Sequence, residues 1–340
     1  MKISNKRLLS MLLALVMVFS LAACSSKTAN QTEGSAANED SEVAETGYTP
    51  VSITNNDLTI TYEKAPERVI PYSYSTAEIL VALGVGDRII GIAATHSRIE
   101  DMQEQYISEL EKIPVLTDGL ISLEGALEAD PDLVIGDVYN FMERNCGARE
   151  DYLNAGVNVY IQEGTYVEGA TYENTYNDII NLGKIFGVED RAEELVSEMK
   201  QTVSDVESKV ADLDPVSVFL YDSGEGTLYS VGKDSLESMI AKTAGGENIF
   251  SDVDGHYVDV SVEAVLEKNP DAIIVFDYFV EDGKDADGKV DYLKSLPEWA
   301  DVPAIKNNNI LVVPYANITP SLENAVLTQT IAEFLHADAF

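Results

Sequence analysis

Beyond residue 50, short apolar runs alternate with longer amphipathic ones along most of the chain. SITNNDLTITYE, RVIPYS, RIIGIAA, DLVIGD, NVYIQE, VSVFLYD, TLYSVG, AIIVFDY and ILVVPY are short and rich in β-branched and aromatic residues, which predicts strands. Between them TAEILVALG, SLEGALEAD, REDYLNAG, SLESMIAKTAG, SVEAVLEKN and LENAVLTQTIAEFLH carry apolar residues at helical spacing. Strands and helices in alternation predict an α/β architecture with largely parallel sheets.

The pattern changes in the middle of the chain. Residues 188–213 place Ala192, Leu195, Val196, Met199, Val203, Val206 and Val210 on one helical face, with charged residues between them. This predicts a single amphipathic helix of about 35–40 Å at ~1.5 Å per residue, ended by Pro215. The expected organisation is two Rossmann-like lobes, residues 48–187 and 214–340, joined by the helix of residues 188–213, with a ligand crevice between the lobes.

One phrase occurs twice. ISLEGALEADPDLVIG starts at Ile121 and VSVEAVLEKNPDAIIV at Val260, and seven of the sixteen aligned positions are identical. Each copy reads as a serine N-cap, a glutamate in the first helical turn, a leucine turned toward the core and a proline stop before a buried strand. Local physics alone accounts for Glu124 and Glu263 as complements of the helix dipole.

The start of the chain is of a different kind. Lys2, Lys6 and Arg7 precede the apolar run LLSMLLALVMVFSLAA, which is too short for a comfortable membrane span and ends at Cys24. Residues 1–23 therefore read as a signal peptide. Leu21-Ala22-Ala23-Cys24 resembles the bacterial lipobox, which implies cleavage before Cys24, acylation there and attachment to the outer face of the cell membrane. Residues 24–47 are small and polar, lack the apolar surface that folding requires, and predict a flexible tether.

The formal charge is −37 over 340 residues, which argues against nucleic acid as a partner because such a field repels phosphate. With Cys24 consumed, Cys146 is left alone and forms no internal disulfide. Its bland reading is a small buried apolar residue rather than a soft metal ligand. GKDADGKVD and SDVDGH fail the calcium-loop pattern, with Gly283 and Phe250 at its first position, and read as solvated turns. A Gly-rich phosphate loop, zinc-type spacing and a G-x-S-x-G elbow are all missing from the sequence, so no enzyme activity is expected.

From about Arg68 to the end, the chain resembles the ABC-importer solute-binding proteins that carry ferric siderophores, haem or cobalamin. The resemblance rests on ERVIPYSYSTAEILVALGVGDRIIGIAATHS, the two copies of the phrase, YSVGKDSLESMIAKTAGGENIF and LPEWADVPAIKNNNILVVP. It implies two lobes bridged by one long helix, a monomer, no resident cofactor, and an ABC permease with its ATPase as partners. It also implies that Glu124 and Glu263 each present a carboxylate to arginines of that permease.

In such an architecture a ligand lies between the lobes against loops at strand ends. On the first lobe that nominates Tyr72, Tyr74, Ser75, His96, Ser97, Arg98, Tyr139, Phe141, Met142 and Arg144. On the second it nominates Tyr229, Lys233, His256, Tyr257, Tyr278, Tyr315 and Asn317. His256 and Tyr257 are assigned to the loop before VSVE. Seventeen tyrosines against one tryptophan suit a flat, partly polar guest. A ferric siderophore-like complex is the first expectation and haem or a corrinoid the alternative. For haem, His96 and His256 facing each other across the crevice are candidate axial ligands. Arg98, Arg144 and Arg149 are candidate forks for an anionic chelate.

Overall fold

The structure is a computed structural model that describes residues 48–278 and 285–340. The expected signal peptide, Cys24 and the expected tether fall in residues 1–47, which lie outside the described residues.

SITNNDLTITYE folds as a hairpin rather than one strand. Strands β1 (Val51–Asn55) and β2 (Leu58–Tyr62) pair antiparallel around Asn56 and Asp57, both with positive φ. That two-residue turn is the tight type whose twist matches paired strands. At its edge Asn55 exchanges two side-chain hydrogen bonds of 2.8 Å with the backbone of Ile161.

The first half then runs β3 (Val69–Pro71), α1 (Tyr74–Ala82), β4 (Ile92–Ala93), α2 (Glu104–Leu110), β5 (Val115–Thr117), α3 (Leu123–Glu128), β6 (Leu133–Gly136), α4 (Arg149–Asn154), β7 (Asn158–Ile161) and α5 (Tyr172–Phe186). Strands β3, β6 and β7 form a parallel sheet in that order, and β4 pairs parallel with β5. The sequence reading missed α2 and β5; the exposed Val115 and Leu116 give β5 no buried-strand pattern.

Helix α6 (Glu189–Val210) follows, about 33 Å long at ~1.5 Å per residue. Its buried residues are Ala192, Leu195, Val196, Met199, Val203, Val206 and Val210, the face the periodicity predicts. Fully burying each Leu, Val or Met stabilises by about 1.5–3 kcal/mol. The turn from α5 into α6 uses Gly187 at φ 70°, and a Cβ on Gly183 would collide with Ala192 where the two helices touch.

The second half contains β8 (Val216–Ser223), β9 (Thr227–Val231), α7 (Leu236–Thr243), β10 (Gly246–Asn248), β11 (Tyr257–Ser261), α8 (Val262–Lys268), β12 (Ala272–Asp277), α9 (Asp285–Ser295), α10 (Pro303–Lys306), β13 (Ile310–Pro314), α11 (Tyr315–Ile318) and α12 (Glu323–Leu335). Its sheet runs β11-β9-β8-β12-β13, with β10 also on β8. The centre is parallel, while β9 and β11 are antiparallel, so this half is mixed rather than purely Rossmann-like. Two readings are corrected here. Tyr257 opens β11 instead of lying in a loop, and the described part of GKDADGKVD forms the start of α9, where Asp285 accepts from Tyr278 N–H and Lys289 Nζ.

One apolar cluster runs from Ile53 to Ala332 and includes the buried face of α6, so both halves share a core. Buried polar bonds cross the same region. Tyr172 pairs with Thr328 at 2.6 Å, Thr175 donates to Asn324 at 3.0 Å, and Gln162 donates to the Pro320 carbonyl at 2.7 Å. A shared core favours modest rocking of the halves over wide hinge opening.

Helices α1 and α12 also bury Glu78 and Glu323, 0% and 4% exposed. Gln103 N–H donates to Glu78 Oε1 at 2.7 Å, but among the described residues Oε2 of Glu78 and Oε1 of Glu323 have no donor. We expect a proton shared between the two carboxyls to supply one. Burial pushes Glu78 up to about 9 and Glu323 up to about 7 from the ordinary 4.5. The folded protein therefore holds protons that the unfolded chain releases, and stability is complete below about pH 4.5 and falls as pH rises through 7 toward 9. We expect the melting temperature to drop across that window and Glu78→Gln to flatten the drop. A wild-type slope no steeper than the variant's, measured by circular dichroism, rejects the shared proton.

Candidate functional site: an aromatic crevice and two exposed carboxylates

The repeated phrase builds the same local structure twice. Ser122 and Ser261 cap α3 and α8, each accepting a backbone N–H three residues on at 3.1 Å. Asp130 and Asn269, at matching positions before the prolines, both turn left-handed, with φ of 54° and 48°. Asp132 and Asp271 then each anchor the neighbouring parallel strand. Asp132 accepts the N–H groups of Glu67 and Arg68, and Asp271 accepts the Ser217 hydroxyl while its N–H donates to the Ser217 carbonyl. Most of the repetition is thus structural. The glutamates have no such structural role: Glu124 and Glu263 are exposed in the first turn and Glu128 and Glu267 further along, all without an ion-pair partner among the described residues.

The crevice lies at the carboxyl ends of the parallel strands, where open α/β sheets leave backbone groups and loops free. A cavity of about 320 Å³ is lined by Tyr139, Asp222, Ser223, Tyr229, Tyr257, Tyr278 and Tyr315. Tyr139 follows β6, Asp222 and Ser223 close β8, Tyr278 follows β12 and Tyr315 follows β13. Tyr278 and Tyr315 stack with centroids 4.2 Å apart, and His96 meets both edge-on at 5.5 and 6.2 Å. His96 sits after β4 at φ 47°, so a first-half ring closes on a second-half pair. Tyr278 Oη donates to Asp222 at 2.6 Å. Burial raises the pKa of Tyr139, Tyr257, Tyr278 and Tyr315, so the phenols remain hydrogen-bond donors at neutral pH. Burial lowers that of His96, against the charge of Asp285, which leaves its ring neutral.

Five tyrosines and both histidines of the sequence reading therefore line or border the crevice: Tyr139, Tyr229, Tyr257, Tyr278, Tyr315, His96 and His256. The histidines have separate partners. His96 packs on tyrosines, whereas His256 lies 3.3 Å from Glu237 and 4.5 Å, ring to ring, from Tyr257.

Other nominated residues are placed elsewhere. Tyr72 is 1% exposed and donates to Tyr152, which donates to the Cys146 carbonyl, while Phe141 stacks on Tyr72. This is a core, and burial pushes the Cys146 thiol up to about 11, keeping it protonated. Ser75 is 1% exposed in the cap network of α1, and Tyr74 packs partly buried against the main core, its N–H held by Ser97. The reason is topological: β3 ends at Pro71, so the residues after it enter α1 instead of an open loop.

The arginine forks are corrected too. Arg98 spans Asp101, at 2.9 and 3.0 Å, and Asp277, at 3.1 Å, and these carboxylates hold its pKa above the usual value. Arg149 donates to the Asn56 carbonyl, and exposed Arg144 reaches the sulfur of half-buried Met142 at 3.6 Å. Lys233 lines a different cavity of about 630 Å³, between residues 169–171 and α7 with β10, and pairs with Asp254. Asn317 lines neither crevice cavity, and its carbonyl accepts from Asn324. Sequence reasoning passed over Asp137, Asp222 and Glu237. The first two close the runs DLVIGD and VSVFLYD, and the strand-end rule that picked the tyrosines picks them as well. Glu237, inside a helix, carries no such mark.

Parallel-stranded sheets in both halves of the chain, with a long helix between them in sequence and an aromatic crevice at strand ends, define the architecture of a solute-binding protein. Residues 69–316 match the family model of periplasmic binding proteins, and the chain belongs to that family of ABC-transporter substrate-binding proteins. It is 27% identical over 300 residues to the uncharacterized ABC transporter substrate-binding lipoprotein YvrC of Bacillus subtilis, covering 86% of this chain and 87% of that one. It is 26% identical over 214 residues to the vitamin B12-binding protein of Yersinia pestis, covering 62% and 70%. Among solved structures, the ABC-type Fe3+-hydroxamate transport system protein of Saccharomonospora viridis superposes with a TM-score of 0.73 at 27% identity, over 85% of this chain and all of that one. Among the described residues, no helix is long and apolar enough to cross a membrane.

Proposed function

We propose that this protein is the lipid-anchored, extracytoplasmic receptor of an ABC importer that captures a ferric chelate of neutral or positive charge and delivers it to its permease. The observation that carries this reading is the crevice lined by Tyr139, Tyr229, Tyr257, Tyr278 and Tyr315. Phenol rings offer flat apolar area with a polar rim, which suits a chelate whose metal is wrapped in organic ligand. Charge narrows the class. Asp137, Asp222 and Glu237 lie in the lining, His256 is the one titratable nitrogen there among the described residues, and Arg98 is engaged by two carboxylates. Three hydroxamates neutralise ferric iron, whereas three catecholates leave it strongly anionic. Such a site therefore favours the hydroxamate type. Haem, with two propionates, meets the same repulsion.

A corrinoid is the second reading, favoured by the relative named for vitamin B12. Titrating the purified folded region with a ferric trihydroxamate, a ferric tricatecholate, haem and cyanocobalamin, read by tyrosine fluorescence, separates these. The trihydroxamate should bind with a Kd of about 1 μM or below. Tighter binding of the tricatecholate, or no binding of any probe, overturns the assignment.

Anchoring rests on the lipobox-like Leu21-Ala22-Ala23-Cys24. Two or more acyl chains hold a protein stably at a membrane where one does not. Cys24→Ala should move the protein from the membrane fraction to the soluble one, and retention of the variant in membranes rejects lipidation at that residue.

A further inference from the structure

A second, much smaller cavity, of about 20 Å³, shares Tyr139, Tyr257 and Tyr315 with the first and is walled also by Asp137, Glu237 and His256 among others. That space holds one group the size of a water molecule. Glu237 is the unusual wall. Its side chain is 5% exposed, its Oε1 meets His256 Nε2 at 3.3 Å, and its Oε2 has no hydrogen-bond partner among the described residues. Buried carboxylate oxygens are nearly always satisfied, and an exception inside a binding crevice marks a place where a donor arrives from outside.

The surroundings define that donor. Glu237 lies in the first turn of α7, whose dipole favours its negative charge. Asp137 is on the same wall, and no lysine or arginine lines either crevice cavity among the described residues. The rings of Tyr257 and Tyr315 add faces on which a cation is attracted. His256 is the one titratable nitrogen on these walls among the described residues. Burial acts to lower its pKa, yet the hydrogen bond and charge of Glu237 outweigh that and raise it, so His256 is satisfied through Oε1 and leaves Oε2 open.

We propose that Glu237, together with Asp137, receives a primary ammonium carried by the ligand, so that the receptor selects amine-bearing ferric chelates over otherwise identical ones without the amine. This rests on the ferric-chelate reading above and sharpens it. A neutral hydroxamate core with one pendant ammonium is a monocation, the charge type the lining accommodates.

The test uses two ferric trihydroxamate probes that differ only in whether their terminal amine is free or N-acetylated. The wild-type folded region should bind the free amine about tenfold more tightly, the scale of one charge-assisted contact. Glu237→Gln, which keeps shape and a partner for His256, should bring the ratio to about twofold or less, and Asp137→Asn should reduce it independently. Equal affinity of the wild type for both probes means that a buried water alone satisfies Oε2, and overturns the proposal. A ratio untouched by both variants overturns it as well. If both probes bind equally, the ferric-chelate reading survives; if neither binds, it falls and this inference falls with it.

Discussion

Cells carrying Glu124→Ala together with Glu263→Ala should lose import by more than about tenfold while the purified variant keeps its ligand affinity within about twofold. The two carboxylates sit at matching positions on α3 and α8, each exposed and each without an ion-pair partner among the described residues. Of their neighbours in the repeated phrase, the serines cap, the aspartates anchor strands and the prolines end helices, while Glu128 and Glu267 are exposed later in each helix rather than in its first turn. A helix dipole alone does not require a glutamate twice at one position, since a surface dipole contact is worth only about 0.3–1 kcal/mol. Paired carboxylate–arginine contacts across an interface fix orientation and speed encounter, and one peg per half suits a permease with two-fold symmetry. Each single variant should fall between wild type and the double. Uptake of radiolabelled ferric chelate decides the matter, and unimpaired uptake in the double variant removes the docking role.

Tyr278→Ala combined with Tyr315→Ala should weaken ligand binding by about 100-fold, roughly 2.7 kcal/mol. These rings stack on each other and carry His96 on their edges, so their loss removes the second-half wall and the first-half contact at once. Tyr278→Phe should cost far less, about threefold, because it keeps the ring and loses one hydrogen bond to Asp222. Fluorescence titration gives the affinities, and a circular dichroism melt checks that the fold survives. A double-variant loss below about threefold would move the ligand out of this crevice, with the cavity beside residues 169–171 and α7 as the next place to look.

How much of this was legible in the chain differs from element to element. The buried face of α6 was readable residue by residue, because a helix with one solvent side prints its period directly into the sequence. The two copies of the phrase were readable too, since caps and stops are local chemistry. Strand β11 was not. It is an antiparallel edge strand beside β9, and its partner, not its own composition, makes it a strand. Tyr72 looked like a crevice residue because it follows a strand, yet the chain turns at once into α1 and leaves the ring against Tyr152 and Phe141.

Electrostatic partners were the least visible. Arg98 looked available for an anionic guest until folding brought Asp277, 179 positions away in the chain, to its guanidinium. The same holds for Glu78 with Glu323, and for Glu237 with its unmet oxygen.

By itself the sequence determined the alternation of strands and helices, the long amphipathic helix, the doubled phrase with its two exposed glutamates, and a body rich in tyrosine and acid. Each of these is written in spacings shorter than about one helix, where local sterics and burial decide. Only the tertiary structure decided which tyrosines face the crevice, which arginines are already engaged, and which buried carboxylate still lacks a donor. Those outcomes depend on residues far apart in the chain meeting at close range. Hydrogen bonds and ion pairs act over a few ångströms of space, and sequence separation does not measure that distance.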